Sequence, residues 1–209
     1  NITKFLEFNK KISLKLITLG VIAIALVLAI TSFWNDTLIV DEIPHVGAGY
    51  SYLKKQDMRI NPEHPPLVKD LAVLPLIFMD LKQGAFKTRF WKDDINGQWD
   101  FGRSLIYTTG NDADAITRAV KIPVLIFFVL SALLITHWSF RLYGNVGALV
   151  SLILFSFSPT VLAHARFVTT DVAALFGVLS STYFFISYLK LPSRKNLIIA
   201  SVVFGVALL

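Results

Sequence analysis

Cysteine is absent from the 209-residue chain, which excludes disulfides and thiolate metal sites. That absence fits an oxidising exterior without demanding one. Charge is also scarce: 16% of residues are Asp, Glu, Lys or Arg, where a soluble domain carries about a quarter. Acidic residues nearly vanish from the second half, with Asp171 the only one after Asp114. No internal repeat and no low-complexity tract is present. No small-residue cleavage site of the Ala-x-Ala kind follows the first apolar run. The basic start (Lys4, Lys10, Lys11, Lys15) would suit a signal peptide, but an uncleaved membrane helix is the better reading.

Apolar residues fill the space that charge leaves, at 55% of the chain with a mean hydropathy of +0.62. Residues 16–34, LITLGVIAIALVLAITSFW, hold no charge and end in Trp34, which suits an interfacial anchor. At about 1.5 Å per residue the run covers most of a roughly 30 Å hydrocarbon core. Similar runs occupy 122–140, 142–163 and 172–189, and another begins at Asn196 and reaches Leu209. The expected class is an all-α polytopic membrane protein. With the last run only begun, the sequence reads as the N-terminal part of a longer chain.

The net charge of +6 does not indicate nucleic acid, because of where it sits. The N-terminal stub, the turn at Arg141 and the turn at 190–195 together hold eight cations against one acid, Glu7. The segment 35–121 is nearly neutral, with eleven Lys or Arg and twelve Asp or Glu. This is the positive-inside pattern, and it places the N-terminus in the cytoplasm and the long loop outside. The tight RLYGN turn, the external corner HARFVTTD (164–171) and the cytoplasmic turn KLPSRKN follow in order. A loop as long as 35–121 is too large for a connector, so function is expected there.

Two helices can be read inside it. In DEIPHVGAGYSYLKK (41–55), Ile43, Val46, Tyr50 and Leu53 form one apolar stripe, with Asp41, Glu42 and Pro44 at the start. In PPLVKDLAVLPLIFM (65–79), Pro65 and Pro66 suit a helix start, and the run is too short to span. Both are expected along the membrane surface. Residues 80–118 read as irregular loop.

Asp41-Glu42 is the first chemical candidate. It is either an acidic pair complementing a helix N-terminus or a general base held at the membrane face. His64 and Lys69 flank the double proline. They are either loop residues or cations fixed at headgroup level, where they would bind a phosphate. Arg166 and Asp171 are ionisable groups in a short corner between apolar helices, which defaults to a functional expectation; a mutual salt bridge is the structural alternative. Four histidines raise the question of a metal. His137 lies at the opposite end, His45 shares a helix face with Asp41, and His164 could approach; without a tight ligand motif no protein-built metal site is expected, and a divalent cation stays open as a cofactor.

DE at 41–42 after the first span, HPPL at 64–67 and RFVTTD at 166–171 recur in that order. Together they resemble the GT-C membrane glycosyltransferases, specifically glycosyltransferase family 39, which includes protein O-mannosyltransferases and lipid A aminoarabinose transferases. The resemblance implies about a dozen membrane helices and a large first external loop with two membrane-parallel helices. It also implies a sugar donor linked to polyprenyl phosphate and an extracytoplasmic reaction. By it, Asp41 would be the catalytic base and Glu42 would position the acceptor. The HPPL motif, through His64, would lie by the carrier phosphate. Arg166 would contact that phosphate, and Asp171 would orient Arg166. The aminoarabinose branch commonly has Lys before its Pro-Pro, so His64 leans toward the mannosyltransferase side. The expected partners are that donor, a protein, lipid or glycan acceptor, and membrane lipids.

A transporter or channel subunit is the rival reading. It would need polar residues near the bilayer midplane, usually on broken helices. Here the polar groups gather at the outer ends of the runs, which favours chemistry at the surface.

Overall fold

The computed structural model describes residues 14–94 and 96–209, and among these there is helix and no strand. The basic stub at Lys4, Lys10 and Lys11 lies outside the described residues. Among the described residues, three helices are long and apolar enough to cross a membrane: Leu14–Phe33, Ala113–Ser156 and Asp171–Lys190.

Helix α1 (Leu14–Phe33) buries Ile22, Ala25, Ala29 and Phe33, a stripe repeating at three- and four-residue steps. Its partner is the long helical run α6 (Ala113–Ser156). Phe33 meets Leu125 and Phe128, and Ile22 meets Ala132 and Leu152. Small alanines on α1 let the backbones approach, as membrane helices need where no hydrophobic drive separates protein from lipid.

The 44-residue α6 is two arms. Gly144 sits at φ 68°, ψ −160°, inside the expected RLYGN turn. The chain reverses there, because Ser139 Oγ donates to Ser151 Oγ at 2.9 Å and the Phe128 and Phe155 rings stack at 5.6 Å. In one straight helix, residues 12 apart would be separated by roughly 18 Å. The first arm starts at Ala113, capped by Asp112 accepting from the Ala115 amide at 2.9 Å, so it begins well before the expected 122. The second arm stops at Ser156, short of the expected 163. Pro159 opens a separate short helix, α7 (Pro159–Ala165), since proline cannot donate to a carbonyl four residues back but suits a first helical position.

Asp171–Lys190 forms α8 (α4 and α5 lie in the loop described next), and Arg194–Ala207 forms α9, capped by Ser193 accepting from the Asn196 amide at 3.1 Å. The two pack as a hairpin, with Gly177 close against Ala207.

The loop between α1 and α6 is more ordered than its sequence suggests. Helix α2 (Glu42–Lys55) is buried from Glu42 through Tyr52, so the expected single apolar stripe is replaced by burial all round. Glycine makes that possible. A Cβ on Gly47 would lie 2.7 Å from the Cα of Gly102, and one on Gly49 would lie 2.4 Å from the Lys69 carbonyl oxygen. Two further helices cross α2 at these points: α3 (Pro66–Val73) and α5 (Gln98–Arg103). The expected helix 65–79 is α3 followed by a tighter 3₁₀ turn, Leu74–Phe78, where Pro75 removes a donor. Residues 80–118, expected to be irregular, hold a 3₁₀ turn (Gln83–Lys87), α4 (Arg89–Lys92), α5, a π-helical turn (Ser104–Thr108) and the start of α6. Aromatic packing orders them: Phe86 lies 4.9 Å from Trp91 and 5.1 Å from Phe101, centroid to centroid.

Candidate active site

The polar groups gather where the loop meets the ends of α1, α7 and α8. Asp41 stands at the N-cap of α2 with helical backbone angles (φ −73°, ψ −18°). Its side chain makes no capping hydrogen bond and the residue is exposed.

Glu42, next in sequence, has no exposure at all. Oε2 accepts from the Ile39 amide at 2.8 Å and meets Lys121 Nζ at 3.2 Å, while Oε1 accepts from the Val168 amide at 2.8 Å. Lys121 is equally buried. Both carboxylate oxygens are therefore taken by the protein, and direct contact with an acceptor is not available to Glu42 here.

The double proline shapes the next part. Pro65 is extended (φ −56°, ψ 147°) and Pro66 begins α3. Beneath them Lys69 is fully buried, and its ammonium donates to the His64 carbonyl at 2.6 Å, the Tyr52 hydroxyl at 3.0 Å, and the Asn61 carbonyl and Oδ1 at 3.2 Å each. Burial pulls its pKa down to about 8. Lys69 thus holds the 61–64 loop from inside and does not face outward to a phosphate. Outside, Asn96 donates to Glu63 at 2.8 Å and Asn61 donates to Gln98, tying the loop to α5.

His64 is exposed, with its ring 5.1 Å from that of His45. His45 is 6% exposed, and its Nδ1 is buried without a hydrogen-bond partner. Burial first, then the neighbouring His64 and Lys69, lower its pKa to about 4 against the opposing pull of Asp41 and Asp171. The HPPL loop and α2 therefore meet at one imidazole that is neutral at pH 7. His164 does not join them; its Nδ1 lies 2.9 Å from the Thr160 carbonyl. Among the described residues no three His, Asp or Glu side chains are placed to hold a metal ion.

In the corner, Arg166 does not meet Asp171. Its Nη1 donates to the Ser32 carbonyl at 2.9 Å and pairs with Asp36 at 2.5 Å. Asp171 opens α8, is exposed, and accepts from the Thr169 hydroxyl at 2.6 Å. Orientation of the guanidinium falls to Asp36, three residues beyond α1, because the corner folds back over the end of that helix. Sequence reasoning missed both Asp36 and Lys121. Lys121 carried a signal: a lone lysine at the mouth of an apolar run needs a partner.

Two hollows border the cluster. A groove of about 360 Å³, mainly apolar, runs between Leu67, Phe127, Phe176, Val203 and Val206. A second, of about 390 Å³, is lined by Tyr52, Asn61, Glu63 and His64, and Pro65 lines both.

All-helical architecture and spans long and apolar enough to cross a bilayer describe a helical membrane protein with a polar cluster at the helix ends. Residues 113–209 match the family model of dolichyl-phosphate-mannose-protein mannosyltransferase, and this match supports a glycosyltransferase of the GT-C type. The matched part contains Lys121, Arg166 and Asp171; Asp41, His64 and Lys69 lie before it. No curated protein and no solved structure matches the chain.

Proposed function

We propose that the chain transfers a sugar from a polyprenyl-phosphate-linked donor to a hydroxyl acceptor, carried by protein, lipid or glycan, on the extracytoplasmic membrane face. Asp41 takes the proton of the acceptor hydroxyl. The acceptor oxygen attacks the anomeric carbon from the side opposite the phosphate, so the configuration inverts. The bond from that carbon to the phosphate oxygen breaks, and its electron pair leaves with the carrier phosphate. Arg166 stabilises the developing charge, since Nη1 alone is engaged with Ser32 and Asp36 and the rest of the fork can reach a phosphate. Exposed His64 faces the same ligand, and the apolar groove beside Pro65 suits the carrier's hydrocarbon.

One observation carries this reading. The part that matches the mannosyltransferase family and the unmatched DE turn are joined through Glu42, which binds Lys121 and the Val168 amide two residues from Arg166. That join supports reading Asp41 and Arg166 as parts of one site. The positive-inside pattern supports an outward-facing site.

The test is Asp41→Asn, which keeps shape and capping ability but removes the proton acceptor. Single-turnover transfer from a panel of polyprenyl-phosphate sugars is expected to fall about 10²- to 10⁴-fold, with donor binding and melting temperature kept. Near-normal transfer would remove Asp41 from the mechanism.

A further inference from the structure

A fully buried carboxylate and ammonium are costly to desolvate, and such a pair persists only where further hydrogen bonds complete it. Glu42 and Lys121 meet that condition. Besides the 3.2 Å contact between them, Glu42 accepts two backbone amides, one of them 126 residues away in sequence at Val168. Lys121 also donates to the Thr37 carbonyl at 3.5 Å and lies 5.4 Å from the Phe167 ring centroid and 6.0 Å from that of Phe33. One ion pair therefore gathers the end of α1, the start of α2, the first arm of α6 and the corner before α8.

The residues flanking these anchor points are the ones with exposed charge. Asp41 is bonded to Glu42. Asp36 precedes Thr37, and Arg166 precedes Phe167. We infer that Lys121 is a positioning residue: through Glu42 it sets Asp41, and through Thr37 and Phe167 it sets the Asp36–Arg166 pair, fixing the span between base and phosphate-facing cation. The inference rests on the transfer reading above, in which those two groups act. Glu42 then serves the acceptor through Asp41 and touches no substrate itself.

The full chain in lipid nanodiscs allows the test. Lys121→Met leaves a buried, half-paired carboxylate, and the double variant Glu42→Gln with Lys121→Met removes both charges. The double variant is expected to recover part of the melting temperature lost by the single one, since no unpaired charge stays buried while one backbone amide loses its acceptor. It is not expected to recover rate, because one amide oxygen cannot replace a carboxylate that binds Ile39 and Val168 at once. With a dolichyl-phosphate-mannose probe, kcat is expected to stay about 10- to 100-fold below that of the parent while donor KM changes little, the usual result of a misplaced group. Recovery of kcat together with stability would overturn the inference.

A second readout does not depend on transfer. The chain has no cysteine, so spin labels at Val40→Cys and His164→Cys, both exposed, report the span between the DE turn and the corner. A narrow distance distribution that broadens or shifts in the double variant supports the clasp even if Asp41→Asn proves active, in which case only the base assignment falls. An unchanged distribution overturns it.

Discussion

Lys69 offers the sharpest quantitative test, because its environment opposes its charge. Its ammonium is buried, and burial lowers its pKa from 10.5 to about 8, with Asp70 and Glu63 only partly opposing the shift. Below pH 8 the residue is charged both folded and unfolded, and the folded state carries the full desolvation cost. Between pH 8 and 10.5 the unfolded chain holds a proton that the folded one has released, so stability rises with pH across that window. At about 1.4 kcal/mol per pH unit the gain is about 3 kcal/mol. Tyr52 works in the opposite sense above pH 10, because burial raises its pKa to about 12, but it does so in parent and variant alike and drops out of their difference. Lys69→Met removes the titration and strands the His64 carbonyl and the Asn61 side-chain oxygen. The stability gap between parent and variant should therefore widen by about 3 kcal/mol from pH 7 to pH 11, whatever its size at pH 7. The assay is intrinsic-fluorescence melting in detergent at half-unit pH steps, where Tm of the parent gains several degrees on the variant. Parallel pH profiles for the two proteins would refute the placement of Lys69 inside the loop and return it to the surface as a phosphate ligand.

Two further outcomes follow from the site and the topology. Arg166→Ala should lower kcat/KM about 10²- to 10³-fold, the usual worth of one charge-stabilising donor, and Arg166→Lys should restore it only in part because the fork is lost. If Arg166→Ala and Asp36→Ala instead lower melting equally and leave turnover alone, the pair is a structural tie. Cysteines at the exposed positions Asp93 and Lys190 should react with an impermeant reagent from opposite sides of the membrane, and reaction of both from one side would refute the orientation.

The membrane helices were legible because a bilayer leaves a plain mark: long runs without charge, and a glycine where the chain must reverse at 144. The break before Pro159 was missed, because hydropathy runs straight across it: Phe157 and Ser158 are tolerated in an apolar window. The loop was the reverse case. Nothing periodic marks residues 80–118, because their order comes from aromatic contacts and from glycines on α2 that matter only once two other helices cross it. Charge partners were the least legible of all. Proximity in sequence suggested Arg166 with Asp171, whereas the fold supplies Asp36 from 130 residues away.

What the motifs did not reveal was which of their charges are left exposed, and the packing decides that. Asp41, His64 and Asp171 are exposed and Arg166 is partly so, while Glu42 and Lys69 are sealed inside and saturated by protein partners. The DE pair shows why one short motif can hold both kinds. Consecutive residues at a helix start are turned about 100° apart around the axis. With Glu42 directed inward to Lys121 and the Val168 amide, Asp41 is carried away from the interior and left without a capping partner. An anchor at one position thereby holds an exposed carboxylate at the next, and a chemically similar swap of the two, Asp41→Glu with Glu42→Asp, would move the carboxylates by a methylene each in opposite senses. The shorter Asp at 42 cannot span Ile39, Lys121 and Val168 together, so the order of the two acids, and not merely their presence, is what the site requires.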